Sequence, residues 1–426
     1  MRSTRFIALA LTAAALFALG GATASAKQAP AGAPDTHVAY WDSVGSQAFT
    51  AAALTPAEGH TIFAYVAIAV YDSVMAIEAG YEPFAVDADA PAGASAQAAV
   101  AAAAHRILEN YLPGQELTII DPAYTASLAT IPDGPGKTSG MALGEAVANL
   151  LIAERSDDGF RDPTYTYTAP NPPIPGVWLP TAPTTPIGVY LGHMRPFALT
   201  SADQFRPNGP PALDSKQWAE DYNEVKEIGS STSTTRTAEQ TEAARFWAQA
   251  PVQQARGSFR KFVTDHELDV ADASRFMAMM SVTYADGLIA CFDAKYLYTF
   301  WRPITAIRAG DTDGNAATVG DPTWSPLLPA TPNHPEYPSA HSCITPAAGI
   351  VIARFLQSQD IDFTIPSLGG GIADRHFDTP GELEYDVANA RVWGGIHFRS
   401  AVDDGAQIAK RTAEYVLAHN FHQSND

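Results

Sequence analysis

The chain has 426 residues and a formal charge of −20, from 26 Lys and Arg against 46 Asp and Glu. So acidic a protein repels nucleic acid and anionic lipid, which excludes a general polyanion-binding role and makes any local cluster of basic residues informative. Two cysteines, Cys291 and Cys343, exclude a disulfide framework or a zinc cluster. Each lies in an apolar helical pattern that reads as a buried free thiol, and export would also permit a single disulfide.

In chain order, Arg2 and Arg5 precede an apolar run over residues 6–19, followed by Ala24-Ser25-Ala26. This reads as a signal peptide over residues 1–26, cleaved near Ala26, and predicts a secreted or periplasmic protein. The roughly 400 residues that remain exceed the ~250–300 at which a single core usually stops growing. Two regions are expected: an N-terminal helical one over 27–214 and a C-terminal helical one over 215–426.

The first region contains HTIFAYVAIAVYDSVMAI, SAQAAVAAAAHRIL and GMALGEAVANLLIAE, all with apolar residues at 3–4 spacing. Residues 62–77 are the best candidate for a membrane span, but they are short and interrupted by Asp72, so no membrane insertion is expected. From 162 to 213 the periodicity gives way to proline. This stretch is too long for an ordinary loop, yet it carries Trp178, Tyr190, Phe197 and Phe205. It is expected to be an ordered segment wrapping the helices, as a rim over a site.

Helices resume at Ser215. Thr237 and Gln240 form a capping-box pattern. The apolar run SRFMAMMSVTYADGLIACFDAKYLYTFWRP predicts one long helix ending at Pro303. The loop AGDTDGNAATVGDPTW carries a fragment of a calcium-loop pattern without the closing glutamate, and reads as a solvated turn. Helices over 344–356 and roughly 397–419 complete an all-α chain of helical bundles.

Three basic or histidine-bearing stretches stand out. Lys295 and Arg302 are seven apart in the long apolar run, which predicts one helical face and a clamp for an anion; side chains snorkelling at a helix end would leave the same trace. In HPEYPSAHSC, Ser339 to Ser342 fall where a helix begins, and unpaired N–H groups there favour an anion. Ser339 alone would serve as an N-cap, and His341 as a first-turn histidine. In ARVWGGIHFRS, Arg391 and His397 are six apart, and Gly394-Gly395 permit the break that turns both to one site. Together they make a pocket for a multiply charged tetrahedral anion. Arginines offer forked donors, lysine a point charge, and two histidines supply a ligand or nucleophile and a proton carrier.

The order K-x6-RP (Lys295 to Pro303), PSAH (Pro338 to His341) and R-x5-H (Arg391 to His397) resembles the signature of the superfamily of vanadium-dependent haloperoxidases and type 2 phosphatidic acid phosphatases. The pattern there is K-x6-RP, PSGH and SR-x5-H. The blocks cover about 100 residues, and the N-terminal helices with the proline-rich segment resemble the secreted bacterial haloperoxidase-like branch. Ala340 replaces the glycine and Ala390 the serine. The aspartate that many members place four after the last histidine is Ala401 here, which leaves the partner of His397 open; a backbone carbonyl would serve.

The resemblance implies a helical-bundle fold of the haloperoxidase and acid phosphatase type. It implies vanadate bound through His397, with Lys295, Arg302 and Arg391 neutralising its oxygens, Ser339 and the Ala340 amide hydrogen-bonding them, Lys295 polarising peroxide, and His341 as acid–base residue. His334 occupies a position that is aromatic in chloroperoxidases and histidine in bromoperoxidases, although a histidine in a Pro-rich turn is often only a surface residue. The expected activity is oxidation of bromide or iodide by hydrogen peroxide to hypohalous acid, with a small organic acceptor in some cases. The alternative is a phosphatase forming a phosphohistidine at His397, with phosphate ester as substrate and no cofactor. A non-catalytic oxyanion-binding protein is the third reading, and it leaves His341 without a purpose.

Overall fold

The computed structural model describes residues 36–181 and 185–424. The expected signal peptide lies outside these residues. The N-terminal helices are α1 (Thr36–Ala51), α2 (Pro56–Glu78), α3 (Ala96–Tyr111), α4 (Asp121–Ala129) and α5 (Pro135–Glu154). After the proline-rich segment come α6 (Lys216–Ile228), α7 (Ala238–Phe246), α8 (Pro251–Asp265), α9 (Val270–Tyr298), α10 (Pro303–Arg308), α11 (Ala340–Leu356), α12 (Pro380–Trp393) and α13 (Arg399–His419). The all-α expectation holds. Among the described residues the only sheet is an antiparallel pair of three-residue strands, β1 (Phe363–Ile365) and β2 (Arg375–Phe377).

The helices start where local chemistry says they should. Thr55 and Glu58 close a capping box on α2, Thr237 and Gln240 close one on α7, and Thr379 and Glu382 close one on α12, each satisfying first-turn N–H groups. Two central helices, α2 and α9, are apolar almost all round and pack against each other, as helices buried on every side must. One buried cluster runs from Val38 to Phe421. α2 is long and apolar enough to cross a membrane, but 89% of its apolar window is buried inside the protein.

Asp72 is not a polar interruption of a membrane span but a buried clamp. Its carboxyl group accepts the N–H groups of Phe84, Ala85 and Val86 at 2.6, 3.0 and 2.8 Å. Asp286 on α9 does the same for Phe197, Ala198 and Leu199 at 2.6, 2.7 and 2.8 Å. Buried backbone donors need acceptors, and these two carboxylates supply them where the chain leaves regular structure. The second fastens the proline-rich segment to the core.

That segment is ordered against its neighbours. The Trp178 N–H donates to Thr299 O at 2.6 Å, the Trp301 N–H to Gly176 O at 3.1 Å, and the Ile187 N–H to Asn333 O at 2.9 Å.

Three sequence expectations need correction. The long helix does not reach Pro303: α9 ends at Tyr298, and Thr299 caps it in the left-handed region with φ 47°. Arg302 is instead the extended N-cap of α10, because the residue before a proline disfavours the helical region. Lys295 and Arg302 therefore do not share one helical face. The loop after α10 is not a solvated turn: Asp313 is buried and accepts from Trp218 Nε1 at 2.8 Å, the Asn315 N–H at 2.8 Å and the Thr318 hydroxyl. Finally, the last helices begin at Ala340 and Arg399.

Cys291 and Cys343 are buried and unbonded by disulfide.

Candidate active site

Lys295 sits in the last turn of α9 and is fully buried. Its ammonium donates to Pro335 O and Glu336 O, both at 2.9 Å, and to Pro338 O. A lysine inside three carbonyls is hydrogen-bonded but not neutralised. Burial, reinforced by Arg302, lowers its pKa to about 8, since desolvation disfavours the charged form.

The chain then crosses Phe300 and Trp301, which are buried against Trp218 and Phe398, and delivers Arg302. Arg302 Nε donates to His334 O at 3.1 Å and Nη1 to Ile396 O at 3.0 Å. Nη1 also lies 3.2 Å from His397 Nε2, and Nη2 lies 3.1 Å from His334 Nδ1. Burial lowers the Arg302 pKa to about 10.

Ser339 is the N-cap of α11, and its hydroxyl oxygen faces the Ser342 N–H at 3.5 Å. The Ser339 N–H donates to Ala401 O at 2.9 Å, so position 401 acts here through its backbone. Gly405 on α13 makes this junction possible: a Cβ there would stand 2.8 Å from Ser342 Cβ and 2.9 Å from Ser339 O. Ala340 and His341 form the first turn of α11 and reach the cavity wall.

The last block turns as its glycines allow. α12 ends at Trp393, and Gly395 adopts φ 75° with its Cα close to Gly229 O, where a side chain would clash. This delivers Arg391 and His397 to one place. Arg391 Nη1 donates to Trp247 O at 2.6 Å, and its Nε has no partner. Burial and then Arg302 lower its pKa to about 9.

His397 is held by a residue that sequence reasoning missed. Its Nδ1 lies 2.9 Å from Glu336 Oε1, and the same oxygen accepts the Phe398 N–H at 2.9 Å. The partner is thus a carboxyl group, not a backbone carbonyl. Glu336 is fully buried, its Oε2 has no partner, and burial raises its pKa to about 8. With Nδ1–H donating to Glu336, the Nε2 lone pair is the one that faces Arg302 Nη1. Burial first, then Arg302 and Lys295, push His397 well below the usual histidine range, so the imidazole is neutral and able to bind a metal.

His341 Nε2 is buried without a partner, and burial, Arg391 and His60 also push this histidine far down. His334 is not a surface residue. It is buried, its ring packs on Phe292 with centroids 5.2 Å apart, and its Nδ1 is engaged by Arg302.

A cavity of about 350 Å³ opens over these groups. His334, Ala340, His341, Arg391 and His397 reach its wall, together with apolar residues such as Leu288, Phe292 and Ile344. Lys295, Arg302 and Ser339 lie behind that wall. The three cations meet carbonyls or neutral imidazoles, with Arg391 Nε left over, and among the described residues none forms an ion pair. Such an excess of buried positive charge is costly alone and matches a multiply charged oxyanion.

Glu336 was legible only as an acid between two prolines in HPEYPSAH. His60, a second unforeseen residue at the cavity wall, was legible only as one histidine in an apolar helix.

Comparison with known proteins bears on the fold and on its C-terminal part. The family described as the vanadium chloroperoxidase second helical-bundle domain matches residues 275–425. The vanadium chloroperoxidase of Curvularia inaequalis is 23% identical over 412 residues, covering 72% of this chain and 67% of that protein. Among solved structures, a bacterial vanadium-dependent iodoperoxidase superposes with a TM-score of 0.80 at 23% identity, covering 94% of this chain and all of that one. An apo-type bacterial vanadium-dependent chloroperoxidase superposes with a TM-score of 0.66 at 19% identity, covering 84% and 93%. Residues 275–425 thus match the second helical-bundle domain of vanadium chloroperoxidase, and the chain as a whole has the fold of the vanadium haloperoxidases.

Proposed function

We propose that the protein is a vanadate-dependent haloperoxidase that converts a halide, hydrogen peroxide and a proton to hypohalous acid and water. The observation that carries this reading is His397: Nδ1 tied to Glu336, and Nε2 turned toward Arg302, one of three buried cations in this region that lack carboxylate partners. His397 Nε2 would hold vanadate; Lys295, Arg302 and Arg391 would balance its charge. The Ser339 hydroxyl has a hydrogen left to donate, and Ala340 offers a first-turn N–H at the positive end of α11. Bound vanadate supplies a Lewis acid that polarises peroxide without changing oxidation state. His341, neutral and unpartnered, is placed to take a proton from incoming peroxide and return it to the departing oxygen. Glu336 keeps His397 in the tautomer that leaves Nε2 bare.

Bromide or iodide is favoured over chloride in this reading. His334 supports it through the resemblance, which has histidine at this position in bromoperoxidases and an aromatic residue in chloroperoxidases; here it is buried beside Arg302 and Phe292. The expected leader over residues 1–26 would place that action outside the cytoplasm.

The test splits metal-free protein into two assays. One receives vanadate, hydrogen peroxide and bromide or iodide with a halogenation-sensitive dye. The other receives a chromogenic phosphate monoester without vanadate. Vanadate-dependent halogenation is expected. Ester hydrolysis inhibited by vanadate, with no halogenation, would instead assign a phosphohistidine phosphatase to the same residues.

A further inference from the structure

The cavity holds a polar position that no role above uses. His60 lies in the first turns of α2, just after the capping box of Thr55 and Glu58. It is 3% exposed, its Nε2 has no hydrogen-bond partner, and it lines the same cavity as His341, Arg391 and His397. Its ring tilts against Tyr284 with centroids 5.4 Å apart, and Ala57, Leu288 and Ile344 share the wall. Buried polar atoms are almost always bonded, so an unbonded ring nitrogen at a cavity wall marks a place for a ligand.

The chemistry of that place differs from the oxyanion pocket. Burial, and then Arg256, lower the His60 pKa to about 3, so the ring stays neutral. Arg256 is itself paired with Asp42. In the tautomer that carries its proton on Nε2, the ring offers one neutral N–H donor among apolar and aromatic surfaces. A tetrahedral oxyanion needs several donors and compensating charge. A large monovalent anion that sheds water readily needs only one donor and tolerates apolar walls.

We propose that His60 is a halide-binding residue, whose ring N–H holds bromide or iodide against Leu288 and Tyr284 in the cavity shared with His397. This rests on the haloperoxidase reading and extends it. The halide would bind through a helix of the N-terminal region, while the oxyanion binds through the C-terminal bundle.

The experiment is a bromide soak of crystals of the vanadate-loaded protein, located by anomalous scattering, for the parent, His60→Ala and His60→Gln. A bromide peak in contact with the His60 ring is expected in the parent, lost in His60→Ala and kept in His60→Gln, whose amide supplies an N–H near the place of Nε2. In solution, His60→Ala should raise the halide KM about 10-fold or more, the loss of one hydrogen bond to an ion. The KM for hydrogen peroxide and the Kd for vanadate should stay at parent values, and His60→Gln should recover most of the halide affinity. A bromide peak elsewhere in the cavity, or an unchanged halide KM in His60→Ala, overturns the proposal. The parent peak position decides the matter even if His60→Ala does not fold. A parent with bromide on His60 that never halogenates overturns the haloperoxidase reading and leaves the halide site standing.

Discussion

Replacing Glu336 with Ala separates two consequences of one carboxyl group. Oε1 accepts both the His397 Nδ1–H and the Phe398 N–H, each at 2.9 Å, and neither donor has another acceptor. A buried donor left unsatisfied costs about 1–3 kcal/mol. The Phe398 amide sits at the N-cap of α13, so its share falls on folding stability. The His397 share falls on vanadate: without the acceptor, the ring proton is free to move to Nε2 and block the ligand atom. Losing such a partner weakens a bound metal group about 10–100-fold. Removing a negative charge would act the other way and tighten anion binding, but burial pushes Glu336 up to about 8, so little charge is lost near neutral pH and the loss of orientation wins. Calorimetric titration of metal-free protein with vanadate measures the affinity, and a thermal melt measures the stability. Glu336→Gln keeps an acceptor oxygen and should weaken vanadate less than Glu336→Ala. A Kd for Glu336→Ala within about twofold of the parent, far short of the loss expected when a ligand's orienting partner is removed, would refute the orienting argument.

His397→Ala should abolish vanadate-dependent turnover, and retained halogenation would remove the assignment of the ligand. His341→Ala should lower turnover by about 10²–10⁴-fold while changing vanadate affinity far less; parent-like kinetics would end its acid–base role. Asp72 gives a stability prediction with a defined sign. Burial raises its pKa from 3.8 to about 7, so the folded protein holds a proton that the unfolded chain has lost over that interval. Its contribution is greatest near pH 4 and declines as pH rises toward 7, by on the order of 2–4 kcal/mol. The melting-temperature difference between parent and Asp72→Asn should therefore shrink between pH 4 and 7, and a constant difference would contradict it.

Much of the site was readable because its residues break a pattern. Lys295 interrupts an apolar helix, Gly394-Gly395 interrupt the interval between Arg391 and His397, and Pro335 and Pro338 flank the start of α11. Each is a local signal. The path from Lys295 to Arg302 was not readable, because Thr299 leaves the helix through a left-handed turn that only its pairing with Trp178 and the site loop explains. Glu336 was hidden for a related reason. Its meaning depends on Phe398 and His397, some sixty residues away, and nothing in its own neighbourhood distinguishes it from a loop acid. His60 needs the packing of α2 on α9 before it faces anything at all. The proline-rich segment announced order through its aromatics, while the carboxylate that fastens it, Asp286, lay in a different helix.

The clamp of Asp286 bears on what the cavity admits. Ile187, on the cavity wall, is fixed through both backbone groups: its N–H to Asn333 O at 2.9 Å and its carbonyl to the Tyr296 hydroxyl at 2.6 Å. Ten residues further on, Asp286 fixes the same strap again. A wall tied at this density resists the local opening that a lid requires. On the haloperoxidase reading, small ions and peroxide would reach the site past this fixed wall, whereas a wide organic acceptor would meet the oxidised halogen only after it had diffused out. For such a molecule, the positions halogenated would follow its own reactivity in solution and carry no imprint of the protein.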